Sequence, residues 1–379
     1  MLKQIILLAL SIMFFPLAVV NAADINTISA KSAIVIEAST GKVLYAKNAE
    51  ERRYPASTTK MMTLIVALEH GSLNDMVTTS ANAASTEGSS LWLAAGEKLK
   101  LEDMLYGIML LSGNDATVAV AEHISGNVSA FSKLMTEKAK AIGVSNTNFT
   151  NSSGLPDPNH YSTAQDLAKI AAYGYKNPLF AKIVSTKYKV IPWPGKDHDR
   201  ELYNENKILW RYEGGNGVKT GYTEAAGRCL VSAATRNGVQ LVAVVLDADY
   251  MWEDTMALLD YGFKQIKPMT LFHKGDIIKT VRINNGKTDF IKLVLSSDIV
   301  VPVSEDDKGQ FSTVINAPAN MEAPVSAGQK IGSIKVMYKN TEVSSVDLLA
   351  SEGAERKSLF RALWGSLWSF FTFFIRNFA

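Results

Sequence analysis

Three short polar motifs set into a chain that is 47% hydrophobic restrict the fold more than any other feature: Ser57-Thr58-Thr59-Lys60, Ser112-Gly113-Asn114 and Lys219-Thr220-Gly221. Each lies against a long apolar run, at the end of an element that has to be buried. Two further copies complicate the pattern, Ser39-Thr40-Gly41-Lys42 and Ser125-Gly126-Asn127. Their contexts differ. The first joins the apolar runs 33–36 and 43–46 around Gly41, which reads as a hairpin turn that leaves Lys42 exposed to water. The second follows a helical stretch over 116–124, and Gly126 reads as the left-handed residue that closes it.

Ser57 follows Tyr54-Pro55-Ala56 and opens an apolar stretch over 61–68 that ends near Gly71, which predicts a helix with the Ser57 hydroxyl at its N-terminus. Positions three apart share a helix face, so the Lys60 amine rises one turn above Ser57, within reach of its hydroxyl. The pair is a nucleophile with a candidate base. Burial of the Lys60 stem, with a second cation nearby, would lower its pKa toward the value a general base needs, and Lys219 is the candidate cation. Taken alone, the tetrapeptide is more commonly a Ser N-cap followed by a surface Lys. Ser112-Gly113-Asn114 falls between the apolar stretch 101–111 and the next helix, for which Asp115 is a candidate cap. Taken alone, it is a plain turn. Lys219-Thr220-Gly221 precedes two strands, 230–234 and 240–246, joined by Asn237-Gly238, and is expected on an edge strand. There Gly221 lets a substrate backbone approach closely, and the Lys and Thr side chains can meet a carboxylate.

From about residue 28 to 261 the chain resembles the low-molecular-mass penicillin-binding proteins, the serine-type D-alanyl-D-alanine carboxypeptidases, whose signature is this ordered motif set. Flanking phrases support the resemblance: Tyr54-Pro55-Ala56, Asn114-Asp115-Ala116, Gly154-Leu155-Pro156 with His160-Tyr161-Ser162, and 258–263. It implies an α/β (α+β) catalytic domain, β-lactamase/transpeptidase-like, with an antiparallel sheet and helices. It also implies catalytic roles for Ser57, Lys60, Ser112 and Lys219. Ser57 would attack the carbonyl between two D-alanines and Lys60 accept its proton, giving an acyl-enzyme. Ser112 with Lys219 would relay a proton to the leaving amine. For substrate binding, Asn114 would meet the stem peptide's amide carbonyl, Thr220 and Gly221 would sit beside the terminal carboxylate, and the Ser57 and Tyr222 N–H groups would form the oxyanion hole. One departure stands out. Many relatives carry an Arg where this chain reads Asp249-Tyr250-Met251-Trp252-Glu253, which weakens carboxylate recognition unless Lys219, Arg228 or backbone takes over. Tyr222 stands where relatives often have His.

After Pro268 the text turns β-rich, over 277–283, 290–295, 299–303, 329–338 and 341–348, which predicts a small C-terminal all-β sandwich over 268–350. It holds no catalytic constellation and reads as a spacer, with a partner protein as the other use. Residues 1–22 read as a signal peptide, with Lys3, an apolar run and Val20-Asn21-Ala22 before a mature start near Ala23, which assigns 23–267 to the catalytic domain. An uncleaved anchor is the alternative. Over 356–379, a thin stripe of Ser358, Arg361, Gly365, Ser369, Thr372 and Arg376 crosses an aromatic helix, which reads as an amphipathic anchor lying in the membrane surface; a spanning helix stays open. Cys229 is the only cysteine and falls in an apolar strand, so an internal disulfide is excluded. The net charge of +2 gives no sign of nucleic acid. No metal-spaced His cluster or cofactor loop is present in the sequence, and His160 reads as a loop residue rather than a ligand. The expectation is an exported enzyme at the outer face of the cytoplasmic membrane that trims the terminal D-Ala from peptidoglycan pentapeptides and is acylated by β-lactams. A non-catalytic β-lactam sensor or wall-binding scaffold and a D,D-endopeptidase are the alternatives. A β-lactamase would need a Glu-x-x-Leu-Asn element, which is absent between Asn114 and Lys219.

Overall fold

The computed structural model describes residues 25–307 and 309–357. The signal peptide expected over 1–22 lies outside them, as does nearly all of the anchor helix expected over 356–379. Among the described residues no helix is long and apolar enough to cross a membrane.

The chain opens with β1 (Ser32–Glu37) and β2 (Val43–Lys47), then makes a 3-10 turn, Ala56–Thr59, that runs straight into α1 (Lys60–His70). β3 (Met76–Thr78), α2 (Ala81–Ala84) and β4 (Lys98–Lys100) precede the helical part: α3 (Leu101–Leu110), α4 (Asn114–Ser125), α5 (Val128–Ile142), α6 (Ala164–Gly174) and α7 (Pro178–Ser185). A hairpin of β5 (Tyr188–Ile191) and β6 (Arg200–Tyr203), then α8 (Ile208–Arg211), lead to β7 (Gly215–Thr223), β8 (Gly227–Arg236), β9 (Val239–Leu246) and α9 (Met251–Gln265).

The main sheet is antiparallel in the order β2-β1-β9-β8-β7, so the first strand pairs with the last, Ile34 opposite Val244. Alternate residues serve two cores. Ile34, Ile36, Val242 and Val244 face the core shared with α1 and α3–α7, while Ala33, Val35, Ala243 and Val245 face the core shared with α9. Cover on both faces explains why β1 and β9 are apolar almost without interruption, where a sheet with one wet face would alternate. Inside the larger core, α1 is buried from Lys60 through Ala67 and packs against α3, α4, α5 and α6. Its apolar side chains each contribute about 1.5–3 kcal/mol on burial, enough to carry one buried lysine among them.

Beyond α9 the chain forms an all-β region: β10 (Lys267–Phe272), β11 (Ile277–Asn284), β12 (Phe290–Leu295), β13 (Ile299–Val303), β14 (Phe311–Asn316), β15 (Asn320–Glu322), β16 (Lys330–Tyr338) and β17 (Thr341–Ala350). Six strands form a sheet in the order β14-β16-β17-β12-β11-β15, and β10 pairs with β13. The mixed helix and antiparallel sheet followed by an all-β region is the fold class expected. Three strands of this region were not legible: β10 and β14 are largely exposed, and β15 has three residues.

Two expectations are corrected here. Lys42 is not left to water: its amine donates to Asp307 at 2.8 Å and to Ser304, tying the β1–β2 turn to the all-β region. Asp115 is not the N-cap of α4, a position that Gly113 takes; it lies in the first turn, where its carboxylate accepts from the Ala116 N–H at 2.8 Å and also from the backbone N–H groups of Leu91 and Leu93 and the Ser90 hydroxyl, at 2.7–3.1 Å. The remaining turn assignments agree with the structure, with Gly126 left-handed at φ 77° after α4 and Asn237-Gly238 between β8 and β9.

Candidate active site

Ser57 lies in the 3-10 turn, not within α1, and that turn is gripped from both sides. Ala56 adopts φ 48°, a left-handed conformation that costs a non-glycine residue about 1–3 kcal/mol and persists only where packing enforces it. Gly154 presses on one side: a Cβ there would sit 1.8 Å from the Ala56 carbonyl oxygen. Gly221 of β7 presses on the other, where a Cβ would come within 3.0 Å of the Ser57 nitrogen. Only glycine fits at Gly154, and a side chain at Gly221 would crowd Ser57, so the turn that carries Ser57 is held between the 151–156 loop and the edge strand.

Lys60 is fully buried, and its Nζ has three partners: Ser57 Oγ at 2.8 Å, Asn114 Oδ1 at 2.7 Å and the Ser153 carbonyl at 2.8 Å. Burial first, and then the nearby charge of Lys219, holds this amine well below the ordinary lysine range. Two of the partners can only accept. A neutral amine has two N–H groups for them and one lone pair left for the Ser57 hydroxyl.

Ser112 sits in the turn between α3 and α4 with φ 63°, a second enforced left-handed residue, and lines the same cleft as Ser57. Among the described residues its hydroxyl has no hydrogen-bond partner. Asn114 opens α4 and is committed to the protein, receiving from Lys60 at Oδ1 and donating from Nδ2 to the Glu87 carbonyl at 2.7 Å. It is not one of the cleft-lining residues. Asp115 holds the 90–93 segment from one side. Arg200 holds it from the other, donating to the Leu91 carbonyl at 2.9 Å and pairing with buried Glu97 at 2.7 Å.

Lys219, Thr220, Gly221 and Tyr222 lie on β7, the sheet edge next to the turn that carries Ser57. The cleft between them holds about 320 Å³ and is lined by Ser57, Ser89, Ser112, Thr220, Gly221 and Tyr222, closed by Glu205 and by Met251 and Trp252 of α9. Lys219 is buried behind this lining, with its amine 3.3 Å from Thr220 Oγ1 and 3.8 Å from Glu205 Oε2. Burial lowers its pKa, and the Glu205 carboxylate opposes that shift. Of the two buried amines, Lys219 is therefore the one favoured to keep its proton.

The structure brings Ser57, Ser112, Thr220, Gly221 and Tyr222 to one cleft with Lys60 and Lys219 behind it. Of the groups considered as substitutes for the absent Arg, Lys219 is engaged by Glu205, and Arg228 is exposed and lies outside the cleft lining. Sequence reasoning did not find Glu205, Ser89 or Trp252. None belongs to a motif, although the alternation of Asn204, Glu205 and Asn206 was a usable signal. His160 lies in a loop, as expected, and the structure adds that it is buried beneath the turn that carries Ser57. The Thr150 N–H donates to its Nδ1 at 3.1 Å, so the proton sits on Nε2, which donates to Thr59 Oγ1 at 2.8 Å. Burial lowers its pKa to about 4.

Residues 19–250 match the D-alanyl-D-alanine carboxypeptidase family, and residues 267–356 match the C-terminal domain of penicillin-binding protein 5. The D-alanyl-D-alanine carboxypeptidase DacF of Bacillus subtilis is 38% identical over 340 residues, 87% of this chain and 87% of its own length. DacA of Haemophilus influenzae is 33% identical, covering 89% of this chain and 88% of its own. The crystal structure of penicillin-binding protein 5 from Haemophilus influenzae superposes with a TM-score of 0.60 at 31% identity, over 87% of this chain and 98% of that one. With both parts of the chain matched in order and the serine–lysine cleft in place, this protein belongs to the serine-type D-alanyl-D-alanine carboxypeptidase family.

Proposed function

We propose that Ser57 is the nucleophile of this carboxypeptidase and Lys60 its general base, acting on the terminal D-Ala-D-Ala of peptidoglycan stem peptides and acylated at the same atom by β-lactams. The observation that carries this reading is the trio of contacts around Lys60: two acceptors for its two N–H groups and the Ser57 hydroxyl for its lone pair. Ser57 Oγ attacks the carbonyl carbon between the two D-alanines while its proton passes to Lys60 Nζ. The oxyanion meets the N–H groups of Ser57 and Tyr222, which the close approach at Gly221 supports. Collapse breaks the C–N bond, and the leaving D-Ala amine takes the proton that Lys60 received, relayed through Ser112 and Lys219, which returns Lys60 to the neutral amine. Water then attacks the ester carbonyl, Lys60 takes its proton, and Ser57 is regenerated. Asn114 positions Lys60, and its remaining N–H is the group available to a stem-peptide carbonyl.

The division of the chain follows from the sequence pattern: a signal peptide over 1–22, a catalytic domain over 23–267, a β-sandwich over 268–350 as spacer, and an anchor helix over 356–379. This arrangement holds an exported cleft near the outer face of the membrane. The test is D-alanine release from diacyl-Lys-D-Ala-D-Ala by the protein beside Ser57→Ala. Release and the penicillin adduct are both expected to vanish in the variant. A penicillin adduct on Ser57 without release from the parent would instead favour a sensor or a cross-link endopeptidase.

A further inference from the structure

Past Tyr222, where β7 turns into β8, lies a second hollow of about 580 Å³, larger than the catalytic cleft. Its walls include Tyr54 on the approach to Ser57, Ala225 in the β7–β8 turn, Tyr161, and three charged side chains, Arg52, Arg53 and Asp247. Three residues of chain span at most about 11 Å, so Ala225 lies no farther than that from Tyr222, and Tyr54 no farther from Ser57. The hollow is a neighbour of the cleft.

Its charged groups differ in what they already hold. Arg53 is occupied at all three nitrogens: it donates to Ser32 Oγ at 2.7 Å and to Glu51 at 2.9 Å, and the third lies 3.6 Å from Asp247. Arg52 is different. Its guanidinium lies 4.4 Å over the Tyr161 ring and donates once, to Asn146 Oδ1 at 3.2 Å, and among the described residues no carboxylate pairs with it. Stacking on the ring fixes the guanidinium plane and leaves its other N–H groups for a planar anion. The Asp247 carboxylate is 45% exposed and has Arg53 as its ion pair, so it keeps lone pairs for a further donor. Its backbone is anchored, with φ 52° and its carbonyl accepting from the Lys31 N–H at 3.0 Å.

In the catalytic reading above, the leaving residue's carboxylate lies by Thr220 and the attacked carbonyl by Tyr222, so the rest of the stem peptide continues toward Ala225. We propose that the hollow is a subsite for the side chain of the stem residue that precedes the two D-alanines, and that it takes a side chain ending in an α-amino acid group, with the carboxylate on Arg52 and the ammonium on Asp247. A side chain ending in an ammonium alone meets two guanidiniums and one carboxylate. A carboxylate on the same carbon removes that imbalance and pairs the free guanidinium. The inference deepens the catalytic reading and rests on it, and the test separates the two.

D-Alanine release is compared for two peptides, Nα-acetyl-X-D-Ala-D-Ala with X either meso-diaminopimelyl or lysyl, which differ by one carboxylate at the end of the side chain. The full chain, Arg52→Ala and Asp247→Asn are assayed on both. The parent is expected to favour the diaminopimelyl peptide about tenfold in kcat/KM. Arg52→Ala should remove that preference, lowering kcat/KM on the diaminopimelyl peptide about tenfold, mainly through KM, while the lysyl peptide stays within about twofold. Asp247→Asn should lower the diaminopimelyl value about threefold. Acylation of Ser57 by benzylpenicillin, which lacks such a side chain, should stay within about twofold in both variants, as a merely structural loss would not allow. Raised salt should narrow the parent's preference. D-Alanine release with a peptide ratio unmoved by Arg52→Ala, or a variant that loses both peptides and penicillin acylation together, overturns the subsite alone. Neither release nor a penicillin adduct on Ser57 in the parent overturns the catalytic reading and the subsite with it.

Discussion

The two parts of this molecule treat charge in opposite ways. The core cluster of the all-β region is apolar, Asp307 at the junction with Lys42 is its one buried charge among the described residues, and its ion pairs Lys330–Asp347, Lys335–Glu342 and Lys357–Asp289 sit at the surface. The cleft-bearing part buries Lys60, Lys219, Asp115 and the Glu97–Arg200 pair. A buried charge is costly unless fully partnered, so the second arrangement is not what stability alone would select. It shifts two amines away from their ordinary state and holds a wall of the cleft rigid. The comparison separates a region whose charges lie mostly at the surface from one that holds buried charged groups in one geometry.

The sharpest way to break this comparison is to remove the buried amine. Lys60→Met keeps the stem and deletes the amine proposed as the base; acylation by penicillin should slow by about 10²–10⁴-fold with the far-ultraviolet CD unchanged. Near-normal acylation would reduce Lys60 to a packing residue. In the parent, acylation should fail as pH drops through the lowered Lys60 pKa, because the protonated amine has no lone pair for Ser57.

Next in size is the contrast between ion pairs. Arg200→Ala leaves Glu97 buried without its partner and should cost about 3–5 kcal/mol in urea unfolding. Lys335→Ala, at a pair whose side chains are 39% and 42% exposed, should cost under about 1 kcal/mol. Equal losses would erase the distinction between the two regions.

A pH series sharpens it further. The His160 pKa is depressed to about 4 in the fold, whereas the unfolded chain binds that proton near pH 6.5. The unfolded state therefore carries more protons between these values. Stability should fall as pH drops from about 6.5 to about 4, by roughly 3 kcal/mol, and then level off for this group. His160→Gln should flatten that part of the Tm–pH curve.

The smallest effect is expected where the two regions meet. Although burial opposes it, hydrogen bonds from Lys42, Ser304 and Tyr338 hold the Asp307 carboxyl well below the usual carboxylate range. Its contribution is complete above the unfolded carboxylate pKa and is lost as pH falls through the depressed one. Lys42→Ala should leave D-alanine release within about twofold while broadening the small-angle scattering profile. A large loss of activity would mean that the all-β region acts on the cleft.

Much of the architecture was legible in the chain. The apolar runs of β1, β8 and β9, the helix after Ser57, the edge position of β7 and the turn at Asn237-Gly238 all follow from period, propensity and turn chemistry, which act over a few residues. The choice between the two Ser-x-x-Lys copies was also legible, because a turn and a buried helix leave different neighbours. The fate of the losing copy was not. Lys42 becomes a tie because Asp307, 265 positions away, folds against it.

The sequence alone determined which side chains this protein could use: a serine and lysine one helical turn apart, a Ser-x-Asn loop, a Lys-Thr-Gly edge strand, and a change to β-rich text after Pro268. Tertiary structure decided the state of each group. It desolvated Lys60 and gave it two acceptors, committed Asn114 to that lysine, turned Asp115 and Arg200 to the same segment, put His160 under the turn that carries Ser57 and brought Glu205 to Thr220. Propensity is a property of neighbours in the chain, whereas pKa, partner and exposure depend on groups brought close in space from far along it.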